Sequence, residues 1–331
     1  MTIGLVFNDL CNLVNTLGEN NTWLISTLLL VVLSIPLSCV YYYIRRGRIK
    51  LPTIFCMRHG YLDKVIPALR RIVNYRGKRV YLDFSEVEDI TEGTFMVLLA
   101  QVEKAFEEKN KEVYMFKKLP QSRKVLSLLG KPKKVKHQNI RITNDVLPGT
   151  LTNQKLDTDF IDELVSELKK IGLTTYYRPF YDFLVEVIGN AIEHGIQKKK
   201  INWWLLRYRT PYKRGMTYVF VDMGMGIIKS YKNSGLLRRY TFKDVKKIPL
   251  DALYGRLGSS TKEPNRGRGL PQIREIIEKG YISDFVLITN NVSLRYVNGK
   301  FEVSKNPNFV GTFFSWTINK ENYIQWKNSK S

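Results

Sequence analysis

The chain has 331 residues, 44% of them hydrophobic and 12% aromatic, with a formal net charge of +23. That length holds two ordinary domains, and that apolar share excludes a wholly disordered chain. The surplus positive charge draws polyanions, whether nucleic acid, anionic lipid or nucleotide, unless it serves solubility alone.

The first predicted element is an anchor. Trp23 to Ile44 carries no charge and is long enough to cross a ~30 Å hydrocarbon core as a helix. Trp23 marks one edge and Tyr41, Tyr42 and Tyr43 the other, as interfacial aromatic belts do. Arg45, Arg46, Arg48 and Lys50 follow, and no Lys or Arg precedes them. The positive-inside rule then places residues 1–21 outside, a transmembrane helix over 22–44, and the rest of the chain in the cytoplasm. A cleaved signal peptide wants a basic leading region, which Asp9 and Glu19 do not supply. A buried core helix is the structural alternative. Beside a membrane, the basic surface is expected to meet anionic lipid.

Residues 51–130 read as a small α/β domain. RVYLDF (Arg79 to Phe84) has a strand pattern, and Thr94 to Phe106 an apolar helical one. A second strand, Glu112 to Phe116, and a second helix, Ser122 to Leu129, follow. The run from Val80 to Ala100 resembles STAS-type domains, in which a Ser or Thr in the turn after this strand often accepts phosphate. The turn here offers Ser85, Thr91 and Thr94, but has Glu92 near the acceptor position. The favoured reading of Thr91 is a helix N-cap. Residues 131–156 form a basic stretch, with KPKKVKHQNIR at its start, and are read as a linker or exposed edge.

Asp157 to Ile171 is an amphipathic helical pattern, and Tyr181 to Ile196 (YDFLVEVIGNAIEHGI) a second. In the second, Phe183, Val187, Ile188, Ala191 and Ile192 draw an apolar stripe. Glu186, Asn190 and His194 fall four apart on one face. A carboxylate and an amide on a mostly buried helix are costly unless something polar faces them. An ordinary solvent-facing stripe is the plain alternative. Three stretches follow: VFVDMGMGI (Val219 to Ile227), GRLGSSTKEPNRGRGLPQI (Gly255 to Ile273) and VGTFFSWTI (Val310 to Ile318). Alone, DMGMG is a hairpin turn and GRGRGL an RNA-binding segment.

Together, in this order, the four stretches resemble the GHKL ATPase family over residues 157–320. Its members include sensor histidine kinases, DNA gyrase, MutL, heat-shock chaperone ATPases and anti-sigma serine kinases. The wording EVIGNAIEHGI is nearest to the last of these. The resemblance implies a C-terminal Bergerat-fold α/β sandwich, a mixed sheet with helices on one face. It implies ATP and Mg2+ as cofactors. Asp222 would accept from the adenine amine, with Gly224 and Gly226 turning the backbone and Thr312 reaching adenine through water. Gly267, Arg268, Gly269 and Leu270 would cradle the phosphates, with Lys262 reaching them from a lid. Asn190 would hold the metal, and Glu186 would orient or deprotonate the attacking group. No helical pair with a phosphoacceptor His precedes the domain, which argues against a conventional sensor histidine kinase. The scattered Cys11, Cys39 and Cys56, with His59, His137 and His194, support neither a disulfide scaffold nor a histidine metal site.

The expected function is a membrane-anchored ATP-binding regulatory switch, acting as a GHKL-type ATPase or serine/threonine kinase in signalling or stress response. A protein partner or a homodimer is expected. The alternatives are a MutL-like ATP-dependent dimer clamp, or a scaffold that binds anionic lipid or, less favoured, nucleic acid.

Overall fold

The structure, a computed structural model, describes residues 47–116, 118, 120–129, 146–150, 156–195, 202–210, 215–235, 242–257 and 269–330. The predicted membrane helix, 22–44, lies outside them. Among the described residues no helix is long and apolar enough to cross a membrane. The fold is α/β.

In the N-terminal half, β1 (Arg48–Lys50), β3 (Arg79–Asp83) and β5 (Glu112–Met115) form a sheet in the order β1-β3-β5. Strands β3 and β5 run parallel. A second, two-stranded parallel sheet pairs β2 (Ile54–Phe55) with β4 (Asp89–Ile90). Three helices complete this half: α1 (Leu62–Asn74), α2 (Glu92–Lys109) and α3 (Arg123–Leu129). The predicted strands and the last two helices are all present. Helix α2 starts two residues before the sequence pattern suggests, because Thr91 caps it.

The Thr91 side chain accepts from the Thr94 amide at 3.3 Å, satisfying one of the four unpaired donors of a helix start. Glu92 opens the first turn, where a carboxylate suits the positive end of the helix dipole. Thr94 is fully buried and its hydroxyl accepts from the Met57 amide at 2.7 Å. Both threonines are therefore structural. Thr91→Ala is expected to cost about 1 kcal/mol in chemical denaturation.

The C-terminal half opens with β6 (Val146–Thr150), which falls within the stretch read as a linker or exposed edge and is an edge strand. Then come α4 (Thr158–Ser166), capped by Asp157 and continued by a 3-10 turn over Glu167–Ile171, and α5 (Arg178–Gly195). Next are β7 (Asn202–Thr210), β8 (Gly215–Asp222), α6 (Ile227–Asn233), a 3-10 turn over Phe242–Lys247, and α7 (Ile248–Leu253). The chain ends with α8 (Gly269–Glu278), β9 (Ser283–Val297), β10 (Lys300–Ile318) and α9 (Lys320–Asn328). The five strands lie in the order β6-β7-β8-β10-β9. Every pairing in this sheet is antiparallel, so the expected mixed sheet is corrected. The β9–β10 link is a two-residue turn, Asn298 and Gly299, both at positive φ. That conformation is what an antiparallel hairpin needs.

Helices α5 and α8 of the C-terminal half pack on one face of this sheet, as expected, and helices of the N-terminal half cover the other. All eight positions of β8 are buried. On one face Met216, Tyr218 and Phe220 pack with Phe183, Leu184, Val187 and Ile188 of α5 and Ile273 and Ile277 of α8. On the other, Val219, Val221 and Met223 join Trp204 and Phe313 in a core shared with α1 and α2. Side chains alternate across a strand, so an all-apolar strand has an apolar partner on each side. Here the second partner is the N-terminal half. Residues Ile49–Ser331 accordingly form one compact unit.

Candidate functional site

Helix α5 carries the predicted apolar stripe: Phe183, Val187, Ile188, Ala191 and Ile192 are all buried. The opposite spacing leaves Glu186 and Asn190 half-buried at the helix surface, facing the start of α8. A Cβ added to Gly269 would overlap Glu186 Oε2 and lie 3.5 Å from Asn190 Nδ2. A side chain at this position would have to displace the Glu186 carboxylate. The first amides of a helix lack intrahelical partners, and such a start favours anions. Leu270, the second residue of α8, lines the same cleft.

The other wall is the end of β8 and the glycine loop beyond it. Thr312 of β10 pairs with Asp222 in register. Gly311, at φ +100°, presses against the Asp222 carbonyl, and the β9–β10 register shifts on either side of this point. The Asp222 carboxylate accepts from the Gly224 amide at 2.8 Å and from the hydroxyl and amide of Thr312. Burial pushes its pKa up to about 6, while those bonds and the Lys104 charge pull the other way. In its ionised form it is able to accept further bonds.

The cleft between these walls is lined by Asn190, Asp222, Gly224, Gly226, Leu270 and Thr312. Of the eleven residues predicted from sequence, the cleft brings these six together, and Glu186 and Gly269 adjoin it. Lys262, Gly267 and Arg268 lie outside the described residues, and His194 falls in the last turn of α5.

Two further features give the cleft its chemistry. Asn190 Nδ2 is buried without a hydrogen-bond partner. Burial raises the Glu186 pKa, and the neighbouring Asp182 and Glu193 carboxylates add to the shift. The unpaired Nδ2 is an N–H donor that suits an anionic oxygen, the oxygen of the same amide suits a hydrated metal, and the carboxylate of raised basicity one turn away suits an attacking hydroxyl. Among the described residues no group of three or more His, Cys, Asp and Glu could hold a metal. Magnesium held by a single amide oxygen, with water and phosphate completing its shell, requires no such group.

Three residues that shape the cleft escaped sequence reasoning. Asn290 Oδ1 accepts from the Ile228 amide at 3.0 Å, and its Nδ2 donates to the Met225 carbonyl at 2.9 Å. Thr289 Oγ1 accepts from the Ile227 amide at 2.9 Å. Together they pin the glycine loop from the neighbouring β9. Lys104 of α2 donates to the Met223 carbonyl at 3.0 Å from behind the sheet. The only sequence trace of the first two is the tandem Asn290-Asn291 within a strand pattern, where Asn290 takes φ +50°. No protein-family model matches the chain, and no curated protein matches it.

Proposed function

We propose that the chain is an ATP-binding regulatory protein of the GHKL type, tethered to a membrane by residues 22–44. The reading is carried by one observation. A single cleft sets a buried carboxylate at one end and an unpartnered buried amide at the other, with a glycine-initiated helix between. Asp222 accepts from the exocyclic amine of adenine, and Thr312 assists. The start of α8, with Gly267 and Arg268 ahead of it and Lys262 nearby in sequence, receives the phosphates. Asn190 holds Mg2+, which screens phosphate charge when bound. Glu186 takes the proton of the attacking hydroxyl as its oxygen bonds to the γ-phosphorus and ADP departs.

A resemblance to STAS domains in the N-terminal half and to anti-sigma serine kinases in α5 favours a signalling role. The charge of +23 complements anionic lipid at the membrane surface. A protein substrate or partner is part of this reading, and a homodimer its alternative.

Calorimetry with purified protein and Mg2+ should give heat on adding ATP and little on adding GTP. ATP labelled at the γ-phosphate then separates the chemistries. Label on protein Ser or Thr identifies a kinase, and free phosphate alone an ATPase or dimer clamp. Glu186→Gln should still bind ATP but lose roughly 10²–10⁴-fold in turnover, the usual worth of a positioned base. Because the Glu186 pKa is raised, wild-type turnover should fall with acidification at a pH above the ordinary carboxylate range. Full turnover by the Gln variant would remove Glu186 from the chemistry.

A further inference from the structure

Helix α2 belongs to the N-terminal half, yet it touches the nucleotide cleft from behind. Gly93, in its first turn, lies under Val219 of β8. Glu103 Oε2 accepts from Trp204 Nε1 at 3.2 Å. Gln101 Nε2 lies 3.2 Å from Met223 Sδ, and Lys104 Nζ donates to the Met223 carbonyl at 3.0 Å. Met223 is the residue between the carboxylate of Asp222 and the first glycine of the loop. Lys104 is only 9% exposed, and the half-exposed Glu108 Oε1 lies 3.4 Å from its ammonium. Burying an ammonium carries a desolvation cost that a methionine at this position would not. A device that breaks a packing rule is expected to serve a site.

We propose that Lys104 is a positioning residue of the nucleotide pocket: held from behind the sheet on the Met223 carbonyl, its ammonium supplies the field under which Asp222 receives the adenine amine. This inference rests on the ATP reading and gives the N-terminal half a part in it. The groups around Asp222 can be named element by element. From the loop comes the Gly224 amide, from β10 the Thr312 hydroxyl and amide, and from α2 the Lys104 ammonium. Helix α5 presents the neutral Asn190 to the cleft, with Glu186 one turn away. Helix α6 presents Ser230 and Tyr231. Lys104 is the cation among them, and it lowers the Asp222 pKa against the upward push of burial.

Adenine binding needs the ionised carboxylate, so affinity is lost as pH falls through the Asp222 pKa. Removing the lysine charge raises that pKa and moves the loss to higher pH. The test measures ATP affinity against pH by calorimetry on the full-length protein carrying Glu186→Gln, which removes the other titrating carboxylate and stops turnover. Adding Lys104→Met should move the midpoint upward, each unit reading as roughly a tenfold weaker affinity on the acid side, with equal affinity at alkaline pH. Lys104→Arg should keep the parent midpoint. Glu108→Gln changes a half-exposed side chain and unmasks the lysine charge, so it should move the midpoint downward; it decides the matter if Lys104→Met fails to fold. Unshifted midpoints in the folded charge variants, or a Lys104→Met loss equal at every pH, overturn the role of Lys104 alone. Absence of ATP binding by the parent at any pH overturns the nucleotide reading, and this inference with it.

Discussion

Asn190→Ala is expected to abolish measurable binding of Mg·ATP while leaving the unliganded protein as stable as the wild type or slightly more so. The two halves of that result have one cause. Asn190 Nδ2 is buried with no partner, and an unsatisfied buried polar group costs about 1–3 kcal/mol. Truncation to alanine removes that cost along with some packing on α5, so the melting temperature of the detergent-solubilised protein should hold. Nucleotide affinity should not hold, because on the proposed reading the Asn190 side-chain oxygen holds the ion and its unpartnered Nδ2 donates to a phosphate oxygen. Even outer partners of bound metals cost ~10–100-fold on removal, and a direct ligand should exceed that. Without magnesium, wild type and variant should bind ATP equally weakly. A variant with wild-type affinity for Mg·ATP would end the metal assignment.

Gly311→Ala is expected to be the most destabilising single change near the cleft. An added Cβ would collide with the Asp222 carbonyl oxygen and stand 2.9 Å from its carbon and 3.0 Å from Met223 Cα. All three are backbone atoms and cannot rotate away. The glycine also sits at φ +100°, where a side chain adds about 1–3 kcal/mol of strain. Overpacking adds a further ~1–3 kcal/mol, against a typical total stability of about 5–15 kcal/mol. Either the protein melts far below the wild type, or β10 shifts away from β8 and Thr312 leaves Asp222, so that ATP binding fails. Gly299→Ala is the control, since its positive φ is similar but open space surrounds it. It should show the strain alone. Equal melting temperatures for Gly311→Ala and the wild type would show that β10 does not need this close approach.

What the sequence disclosed and what it hid divide along the range of the interactions. The stripe on α5, the strand into Asp222, the glycine loop and the Thr91 cap are local patterns. Each is legible because helix and strand periods and glycine's backbone freedom operate over a few residues. The meeting of Glu186 with Gly269 was legible only through the order of the stretches, since 83 positions separate them along the chain. The antiparallel sheet was half-visible: Asn298-Gly299 is the strongest short hairpin signal in the chain. The covered back face also left a trace. VYLDF and VFVD are each apolar or aromatic at every position but their Asp, and such a run calls for burial on both sides. Its partner, α2, was legible as an apolar helix, but nothing in the sequence tells which strand Gln101, Glu103 and Lys104 meet. They are the polar groups that meet Met223 and Trp204 across the interface.

The sheet buried on both faces has a bearing on how such a protein can be controlled. Protein switches often work by releasing a detachable inhibitor that then diffuses to a new target. Here the inner surface of the N-terminal half is the floor under Val219, Val221 and Met223, so detachment would lay bare an oily wall in water. The two halves are therefore expected to stay packed together, and on the signalling reading a signal would reach the cleft through α2, which touches Met223.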